Sequence, residues 1–582
     1  MKLKQTFLAL GSRIKEYGIS ALLYRLMLSW FLVSIFYVAN SSFKFTDFAF
    51  FADINLTVFI CTTLFVWLLL IKIKDGVFIK WVMILAALAY AVLAAIGKSN
   101  FPFSVGLSGA VGVVLYFTDI KELRFKLHKS VPWIFGVLVM GTVTAFVGTI
   151  CCLYYLNHWT PCYDFGLFAQ MFHNMKETGL PLITCERDTL LSHFAVHFSP
   201  VYYLILPLYM LFPNPCFLLI VQVLIVESGI IPLLLICKNH SLSDKCCCAF
   251  TVIYALYPCF SGGCFFYLHE NNFLAPLLLW FVYFSEKKKT VPQVLFLLLV
   301  LSVKEDAFIY VIFAAAFFMA SQKSFKRYLP MIIGSVIYFV IVTYALSNYG
   351  DGVMTGRYDN YIYDQSGSLI TALKAVIKNP VYVLSQCFTE SKLLFILNML
   401  VPLAFLPLLT KKPSRYLLLV PFLLINLMTE YKYQSDIGFH YCFGSGTLLI
   451  YLSVINYADL KKPKLLLFAA FTSLIVYVGI YSPRNTYLKS YENQTREREA
   501  IDTALSLIPE DASVSASTFF IANLSDRSEL YQLETTKQTT EYYAIDLRYS
   551  TDEVNPTAYY TSEFEILFYE KDIVAVVRRV GT

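Results

Sequence analysis

The chain reads Cys162-Tyr163-Asp164-Phe165-Gly166-Leu167-Phe168-Ala169-Gln170 at a polar break between apolar runs, and the break extends to His193-Phe194-Ala195-Val196-His197-Phe198-Ser199-Pro200. One apolar run ends near Leu156, and the next begins at Val201. No longer polar interruption occurs between the first apolar run and about residue 345. Ionisable side chains are costly near a bilayer, so the acidic and imidazole groups collected here indicate a functional surface at the edge of a membrane.

The composition is that of a membrane protein. Of the 582 residues, 58% are hydrophobic and only 15% are charged, whereas soluble domains carry about 25% charged residues. The net charge of +6 resides in short basic turns, which report membrane orientation and do not indicate nucleic-acid binding. No small-residue cleavage site clearly follows the first apolar run, so we expect it to be retained as a span. We predict an α-helical polytopic protein of the cell membrane.

Apolar runs of spanning length recur along most of the chain and predict roughly fifteen transmembrane helices. The runs cover about 20–39, 56–73, 77–96, 101–118, 132–156, 216–237, 248–261, 273–284, 291–303, 307–320, 329–347, 393–410, 414–428, 442–457 and 464–481. Basic residues cluster in turns that all fall on one side, which places the N-terminus in the cytoplasm and residues 157–200 outside. Residues 201–212 are too short to span comfortably and are expected to lie along the outer interface.

The chain divides into three predicted parts. Residues 1–130 hold N-terminal transmembrane helices, and residues 131–484 hold a transmembrane core with outer loops at 157–200 and 348–392. From about residue 485 the sequence is polar, with helical and strand-like patterns that predict a small extracytoplasmic α/β domain at 485–582. Its expected elements are a helix at 496–508 and strands at 513–516, 543–547, 563–569 and 573–578.

Ionisable side chains that interrupt the apolar runs fall at predicted outer ends of spans, whereas the inner turns hold plain lysine and arginine. This asymmetry predicts a single polar cavity that opens outward. Its candidate residues are Asp164, His193, His197, His269, Glu270, Lys304, Glu305, Asp306 and His440.

Each candidate also has a purely structural interpretation. Asp164 has the chemistry of a general base, but an aspartate before an apolar helical run is also a common N-cap. Lys304-Glu305-Asp306 suits a phosphate held by the lysine as a point charge, or a self-neutralising turn between helices. His269-Glu270-Asn271-Asn272 fits sugar or pyrophosphate binding, or a hydrated turn. His440 fits either the site or an interfacial anchor.

His193 and His197 are four residues apart, a spacing that suits a metal pair on one helical face, but no carboxylate completes the pair locally. We therefore predict no metal and no other cofactor, with a divalent metal as the alternative. Cys162 and Cys185 share one predicted outer loop and form either a disulfide or two thiols. The tyrosine-rich segment 357–363 either packs over a sugar or lines the interface.

Several of these motifs, in the same order, resemble a family of prokaryotic membrane proteins called domain of unknown function 2079. The motifs that carry the resemblance are Tyr163-Asp164-Phe165-Gly166-Leu167-Phe168 with Gln170, His197-Phe198-Ser199-Pro200, His269-Glu270 and Lys304-Glu305-Asp306. The resemblance is strong over about 150–345 and weaker through the later spans. The segment 508–516 is also similar to that family's outer domain.

The arrangement is similar to that of the C-type glycosyltransferases (GT-C), such as the protein mannosyltransferases and the lipid A aminoarabinose transferases. Those enzymes carry an aspartate in the first large outer loop, then an interface helix and short spans, which correspond here to Asp164, 201–212 and 216 onward. The resemblance implies a polyprenyl-phosphate sugar donor and transfer at the outer membrane face. Two features depart from it: Phe165 stands where a second carboxylate often follows, and four spans at 20–118 precede the core.

The resulting expectation is a membrane glycosyltransferase with Asp164 as the catalytic carboxylate and the other eight candidates as substrate-binding residues. Its expected partners are a lipid-linked sugar donor, an unidentified acceptor and membrane lipids, without nucleic acid. A transporter or flippase is one alternative, but it should have broken helices near mid-membrane and pseudo-repeats, and neither is evident in the sequence. The other alternative is a non-catalytic envelope assembly protein whose outer domain binds partners.

Overall fold

The computed structural model describes residues 14, 16–42, 54–74, 76–95, 106, 109, 126–352, 355–362, 369–549, 559 and 561–581. Among these residues, seven helices are long and apolar enough to cross a membrane. They are Ala21–Ala39, Val131–Leu156, Pro215–Asn239, Asp244–Phe265, Glu305–Gln322, Phe325–Tyr349 and Pro463–Asn493. Shorter apolar helices cover Leu56–Lys72, Thr290–Leu301 and Pro413–Leu427. The number fifteen remains a prediction, because the expected span at 101–118 lies almost wholly outside the described residues.

The polar break lies between long helices, as its sequence predicts. The helices before it are α1 (Ile19–Ala39), α2 (Leu56–Lys72), α3 (Gly76–Ala95) and α4 (Val131–Leu156). Within it are α5 (Leu167–Thr178) and the short antiparallel pair β1 (Leu182–Ile183) and β2 (Leu191–Ser192). A 3-10 turn at Pro200–Leu204 and α6 (Leu206–Leu211) then cover the segment expected at the interface.

The helices that follow build the rest of the core. They are α7 (Pro215–Glu227), α8 (Ile230–Asn239), α9 (Asp244–Ala255), α10 (Pro258–Phe265), α11 (Leu274–Glu286), α12 (Thr290–Leu301), α13 (Phe308–Gln322), α14 (Phe325–Tyr349), α15 (Leu369–Lys378), α16 (Pro380–Cys387), α17 (Glu390–Leu400), α18 (Phe443–Leu460), α19 (Pro463–Tyr481) and α20 (Thr486–Asn493). α11 and α12 have 13 and 12 residues, so neither reaches the roughly 20 residues of a full span.

The predicted span at 216–237 runs on as one apolar helix but is interrupted in its middle by an irregular turn, where Ser228 and Gly229 keep right-handed helical angles. α7 ends at Glu227 and α8 begins at Ile230, and a Cβ added to Gly229 between them would overlap the Tyr254 hydroxyl. That hydroxyl donates to the Val226 carbonyl, 2.6 Å away. Glu227 is only 1% exposed at this break. The expectation that charged residues occur only at span ends is therefore wrong here, because one acid in a long apolar window hardly changes its mean hydropathy.

The predicted span at 393–410 is helical only as far as Leu400, where α17 ends. Ala404 and Phe405 then adopt left-handed backbone angles, with φ of 47° and 55°, which a right-handed helix does not contain. The next expected span becomes a 3-10 stretch, Pro413–Leu419, followed by the wider helical turns of Phe422–Leu427. Apolar composition predicted spans in these two segments, but it did not predict where their helices break.

The C-terminal α/β region begins with α21 (Thr495–Leu505) and continues into a five-stranded sheet. Its strands are β3 (Val514–Ala516), β4 (Leu530–Gln532), β5 (Tyr542–Asp546), β6 (Phe564–Glu570) and β7 (Val574–Arg579), in the spatial order β4-β3-β5-β7-β6. β3 pairs in parallel with β4 and β5, and β7 pairs antiparallel with β5 and β6. The helix and four of the strands match the sequence prediction. The three-residue β4 was missed because it is too short to show a periodic pattern.

The α/β region packs directly against the polar break. The Cys162 amide donates to Thr518 Oγ1 at 3.0 Å, immediately after β3. Thr184 accepts from the Leu530 amide at 3.1 Å and donates to the Leu530 carbonyl at 2.6 Å, so it extends the edge of β4. Asp188 accepts from the Thr536 hydroxyl and from the Lys537 amide. The segment that carries Asp164 is thus held between the membrane helices and the C-terminal sheet.

Candidate functional site

Three helices begin at one place with the same local conformation. His269, Lys304 and Phe439 are each extended, with φ of −143°, −163° and −117°, and each precedes a short 3-10 turn. The three turns lead into α11, α13 and α18. Helix N-termini carry partial positive charge, so this convergence favours negative groups, whether from the protein or from a ligand.

Glu270 is at the centre of the convergence and is fully buried. Its Oε1 accepts from Lys304 Nζ at 2.7 Å, and its Oε2 accepts from the Tyr202 hydroxyl at 2.9 Å. Oε2 also lies 2.8 Å from His269 Nδ1. Burial alone would raise the pKa of the Glu270 carboxyl, but His269 and Lys304 outweigh it and hold that pKa well below its usual range. The ion pair with Lys304 is therefore present across the physiological pH range.

Two further acid–histidine pairs extend this network. His197 Nδ1 lies 2.9 Å from Glu305 Oε1, and His193 Nδ1 lies 3.3 Å from Glu186 Oε2. The two imidazole rings are 6.2 Å apart. Each histidine thus has a carboxylate partner. Glu305 is 108 residues from His197, too far for sequence spacing to reveal. Glu186 is only seven residues from His193, so the expectation that no local carboxylate completes the pair is wrong.

His440 stacks face to face on His269, with ring centroids 3.4 Å apart and planes at 13°. Both His440 ring nitrogens are buried, and neither has a hydrogen-bond partner among the residues that the structure describes. Burial, and then the neighbouring His269 and Lys304, hold the pKa of His440 well below its usual range. The ring is therefore neutral at pH 7, as close stacking beside a cationic side chain requires. His440 is part of the cluster and does not sit at an exposed interfacial position.

A cavity of about 870 Å³ opens beside this network. Its basic and imidazole lining residues are Arg187, His193, His197, His269, Arg357 and Lys432, whereas its acidic lining residues are Glu186 and Glu430. Tyr163, Tyr431 and Tyr441 supply aromatic faces. Three basic side chains against two acids leave a small excess of positive charge. Together with three imidazole groups and the tyrosine rings, they suit an anionic ligand that carries sugar-like hydroxyl groups. We refer to this space as the polar cavity.

A second cavity, of about 300 Å³, lies on the other side of His197 and Arg357, both of which line it as well. Lys304, Glu305 and Asp306 stand at its charged end. Most of its remaining wall is apolar and comes from Phe308, Ile309, Phe339, Leu373, Val376, Leu424, Ile425 and Met428. We refer to this space as the apolar cavity. The polar cavity and the apolar cavity share His197 and Arg357 in their walls. We refer to these two residues, together with Lys304, Glu305 and Asp306, as the partition between the cavities.

Asp164 lies in the turn Cys162–Gly166, directly after Tyr163, whose backbone is extended with φ of −85° and ψ of 119°, but the side chain of Asp164 is outside what the structure describes. Tyr163 and Leu167, on either side of Asp164 in the sequence, both line the polar cavity. The N-cap position of α5 is Gly166, two residues beyond Asp164. Gly166 itself has right-handed helical backbone angles and makes no side-chain cap, so the N-cap interpretation of Asp164 stays open. Its role as a catalytic base remains a prediction.

The model of one protein family, described as predicted membrane proteins (DUF2079), matches residues 154–556. That is well over half of the chain. The chain belongs to the DUF2079 family. No curated protein matches it. The DUF2079 segment contains all nine candidate residues, and helices α1–α3 precede it.

Sequence reasoning missed several residues at the site of this DUF2079 protein. Those that line the polar cavity are Glu186, Arg187, Glu430, Lys432 and Tyr441. Tyr202, which donates to Glu270, lies in the buried network beside it. In the sequence, Arg357 is distinguished only by its place in the tyrosine-rich segment 357–363. It lies over the rings of Tyr431 and Tyr441, 5.2 and 4.8 Å from their centroids, and lines both cavities. Arginine within a tyrosine-rich loop was the one signal that pointed toward it.

The remaining expectations for the DUF2079 site concern cysteine and metal. Cys162 and Cys185 are buried and are not joined by a disulfide, and the Cys185 thiol donates to Gln170 Oε1 at 3.3 Å. Within the described part of the chain, no group of three or more histidine, cysteine, aspartate or glutamate side chains has a geometry that could hold a metal ion. The binding and catalytic roles of the nine candidates stay predictions. Six of them line the two cavities, and Glu270 and His440 belong to the buried network beside them.

Proposed function

We propose that this protein is an inverting membrane glycosyltransferase that moves a sugar from a polyprenyl-phosphate-type donor to an acceptor at the outer face of the membrane. The observation that carries the proposal is the pair of adjoining cavities. A lipid-linked sugar has an apolar tail, one phosphate and a hydroxyl-rich head, and the apolar cavity, the partition and the polar cavity match these parts in that order. This proposal also takes the C-terminal α/β region to be extracytoplasmic.

The partition supplies the group that would hold the phosphate. Lys304 is already neutralised by Glu270 at 2.7 Å and is 2% exposed, so it is better suited to support the site than to meet the phosphate first. Arg357 faces both cavities, and guanidinium binds phosphate oxygens in a bidentate manner. Arg357 therefore takes the role of principal phosphate ligand, and Lys304 orients Glu270 behind it.

The chemical step requires one base and no general acid. The acceptor oxygen attacks the anomeric carbon while the bond from that carbon to the phosphate oxygen breaks, and the polyprenyl phosphate leaves with the electron pair. Asp164 accepts the acceptor's proton. A phosphate is a good leaving group, so it departs without protonation. The position of Tyr163 and Leu167 in the polar cavity wall supports this role for the turn between them.

The test is donor cleavage by the purified full-length chain in proteoliposomes. Radiolabelled polyprenyl-phosphate hexoses and pentoses are supplied with a membrane extract as the source of acceptor, and the release of polyprenyl phosphate is measured. We expect Asp164→Asn to slow release by about 100-fold or more, as loss of a general base does. Asp572→Asn is the matched control, because Asp572 is an exposed aspartate of the α/β region whose left-handed backbone, with φ of 60°, asparagine also tolerates.

The proposal fails if Asp164→Asn and Asp572→Asn release polyprenyl phosphate as fast as the wild type. It also fails if no donor in the set is cleaved while the labelled sugar lipid still binds. Retained binding of the donor by Asp164→Asn, with release lost, distinguishes a missing base from a misfolded site.

Transport is the second candidate, and Glu227 is the observation that favours it. Transporters commonly place ionisable groups at breaks in helices near the middle of the membrane, and Glu227 is buried at the break between α7 and α8. Its Oε2 has no hydrogen-bond partner within the described residues. In the same proteoliposomes, a transporter would move the labelled lipid across the bilayer with its sugar still attached, and Glu227→Gln would stop that movement.

A further inference from the structure

A third cavity, of about 690 Å³, lies between α12 and α14, away from the candidate site. Its deeper wall is formed by Leu297, Leu301 and Met331, which are at most 9% exposed. Val294 and Leu298 form its outer rim and are 38% and 56% exposed. The surface is therefore a long apolar groove that opens sideways from the helices.

One end of the groove is strongly basic. Lys326 and Arg327 line it, and no acidic residue does. The exposed run Lys287 to Lys289 directly precedes Thr290 at the same mouth, and exposed Lys323 directly precedes Ser324. The nearest acid in sequence, Glu286, is occupied by His240 and Tyr451 at 2.7 and 2.8 Å. The mouth thus carries a large excess of positive charge.

Arg327 is held in place before any ligand arrives. Its Nε and Nη2 donate to Gln293 Oε1 at 2.9 and 2.5 Å, and buried Gln293 in turn donates to Ser285 Oγ at 2.8 Å. A guanidinium group carries five N–H donors, so these bonds orient Arg327 and leave further N–H groups that can bind a ligand. α12 and α14 also both begin at this mouth, at Thr290 and Phe325, where their N-termini add partial positive charge.

The length of the groove matches one leaflet. From Arg327 to Tyr338 along α14 is about 17 Å at the rise of an α-helix, and half of a bilayer's hydrocarbon core is about 15 Å. The mouth lies at the end of α12 opposite to Lys304, because Thr290 begins that helix and Lys304 follows its end. The groove therefore belongs to the membrane side that faces away from the candidate site.

We infer that this groove is a binding site for an anionic phospholipid, with the phosphate of its headgroup on Arg327 and Lys326 and one acyl chain along α12 and α14. The charge of the mouth selects an anionic headgroup over a zwitterionic one, and the apolar walls hold the chain. The site is separate from the proposed glycosyl transfer and does not depend on it.

The chain offers a steric test with a matched control. A Cβ added to Gly334, which lines the groove, or to Gly141 in α4, has no neighbour within 4 Å, and leucine favours helix more than glycine does. Gly334→Leu therefore fills the groove without disturbing packing, and Gly141→Leu makes the same change elsewhere. The double variant Lys326→Gln with Arg327→Gln removes the headgroup contacts, and Lys461→Gln with Lys462→Gln, two exposed lysines, removes the same charge elsewhere.

The measurement is native mass spectrometry of the full-length chain titrated with palmitoyl-oleoyl phosphatidylglycerol or phosphatidylcholine. We expect one phosphatidylglycerol to be retained by the wild type and by both controls, with phosphatidylcholine retained more weakly. Gly334→Leu should lose the adduct, and the Lys326/Arg327 variant should bind about 30-fold more weakly, since each basic residue near an anionic headgroup contributes about fivefold. Equal retention of the two lipids by the wild type, or wild-type retention by Gly334→Leu, overturns the inference.

Discussion

Glu270 shows how a carboxylate is accommodated where almost no solvent reaches. Three polar partners, Lys304, Tyr202 and His269, contact its two oxygens within 2.9 Å. Removing one partner of a buried ion pair leaves an uncompensated charge, which costs much more than the pair itself contributes. The network therefore makes each member sensitive to substitution, whatever its chemical role.

We expect Lys304→Met to lower the free energy of unfolding by about 3–5 kcal/mol, because Glu270 would then remain charged and buried without its main counterion. The measurement is the midpoint of unfolding in a detergent titration. Glu270→Gln should have a similar effect, and the double variant should lose less than the sum of the two.

The control is Lys412→Met, which removes a pair with Asp459 whose side chains are 59% and 45% exposed. That change should cost less than about 1 kcal/mol, because water and salt screen the pair. Equal effects of Lys304→Met and Lys412→Met would contradict the buried-pair account.

His440 gives a prediction for the dependence of stability on pH. Because burial holds its folded pKa well below the usual value of about 6.5, the unfolded chain binds a proton that the folded chain does not, and stability is lost as pH falls below that value. His197 has a pKa lowered mainly by burial and acts in the same direction. His440→Phe keeps a ring to stack on His269 and removes the titrating group.

Between pH 7 and 5, we expect the melting temperature of the wild type to fall more steeply than that of His440→Phe. Each proton taken up only on unfolding changes the slope by about 1.4 kcal/mol per pH unit at most. His128→Phe changes an exposed histidine and should leave the slope as it is in the wild type. If the melting temperatures of the wild type and His440→Phe fell equally between pH 7 and 5, a neutral, buried His440 would be contradicted.

At the scale of elements, the site depends on short irregular turns and not on the long helices. α11, α13 and α18 each follow an extended residue and a 3-10 turn, and it is these turns that carry Glu270, Glu305 and His440. Sequence motifs located the turns, because polar residues interrupt the apolar runs there. The sequence predicted that residues of these turns share one cavity. It did not predict which side chains contact one another, because those contacts join residues tens to hundreds of positions apart.

Gly166 lies against Ile521, where the turn that carries Asp164 packs on the α/β region. A Cβ there would lie 2.7 Å from Ile521 Cγ2 and 3.2 Å from Ile521 Cβ. We expect Gly166→Ala to separate the two elements and to raise amide hydrogen exchange in residues 162–166 and 518–522. Combining it with Ile521→Ala, which removes the nearer atom, should restore part of the protection.

Gly141→Ala is the control for that experiment, because an added Cβ at Gly141 meets nothing within 4 Å. If amide hydrogen exchange in Gly166→Ala were as slow as in the wild type, the α/β region would not hold this turn in place.

At the scale of the whole molecule, the positive-inside pattern predicts that the candidate site and the basic turns face opposite sides of the membrane. Single cysteines test this in a Cys61→Ala background, which removes an exposed thiol. Tyr163→Cys and Asp572→Cys should react with a membrane-impermeant thiol reagent on intact cells. Lys288→Cys and Lys462→Cys should react only after the cells are permeabilised. Labelling of Lys288→Cys on intact cells would show that the orientation is the opposite of the predicted one. The proposed reaction could then not take place at the outer face.

The sequence by itself determined the membrane class, most segment boundaries, four of the five C-terminal strands and the motifs that carry the candidate residues. These are local properties: the mean hydropathy of a window, the alternation of apolar and polar residues along a strand, and the polar residues that interrupt apolar runs. It could not predict the break at Glu227, the left-handed turn at Phe405, or Glu186 and Arg357 as cavity residues. Tertiary structure alone decided that Lys304 pairs with Glu270, that His440 stacks on His269, and that two cavities meet at Arg357. Those contacts depend on how helices distant in sequence pack, because burial forces each charged group to find its partner in space and not along the chain.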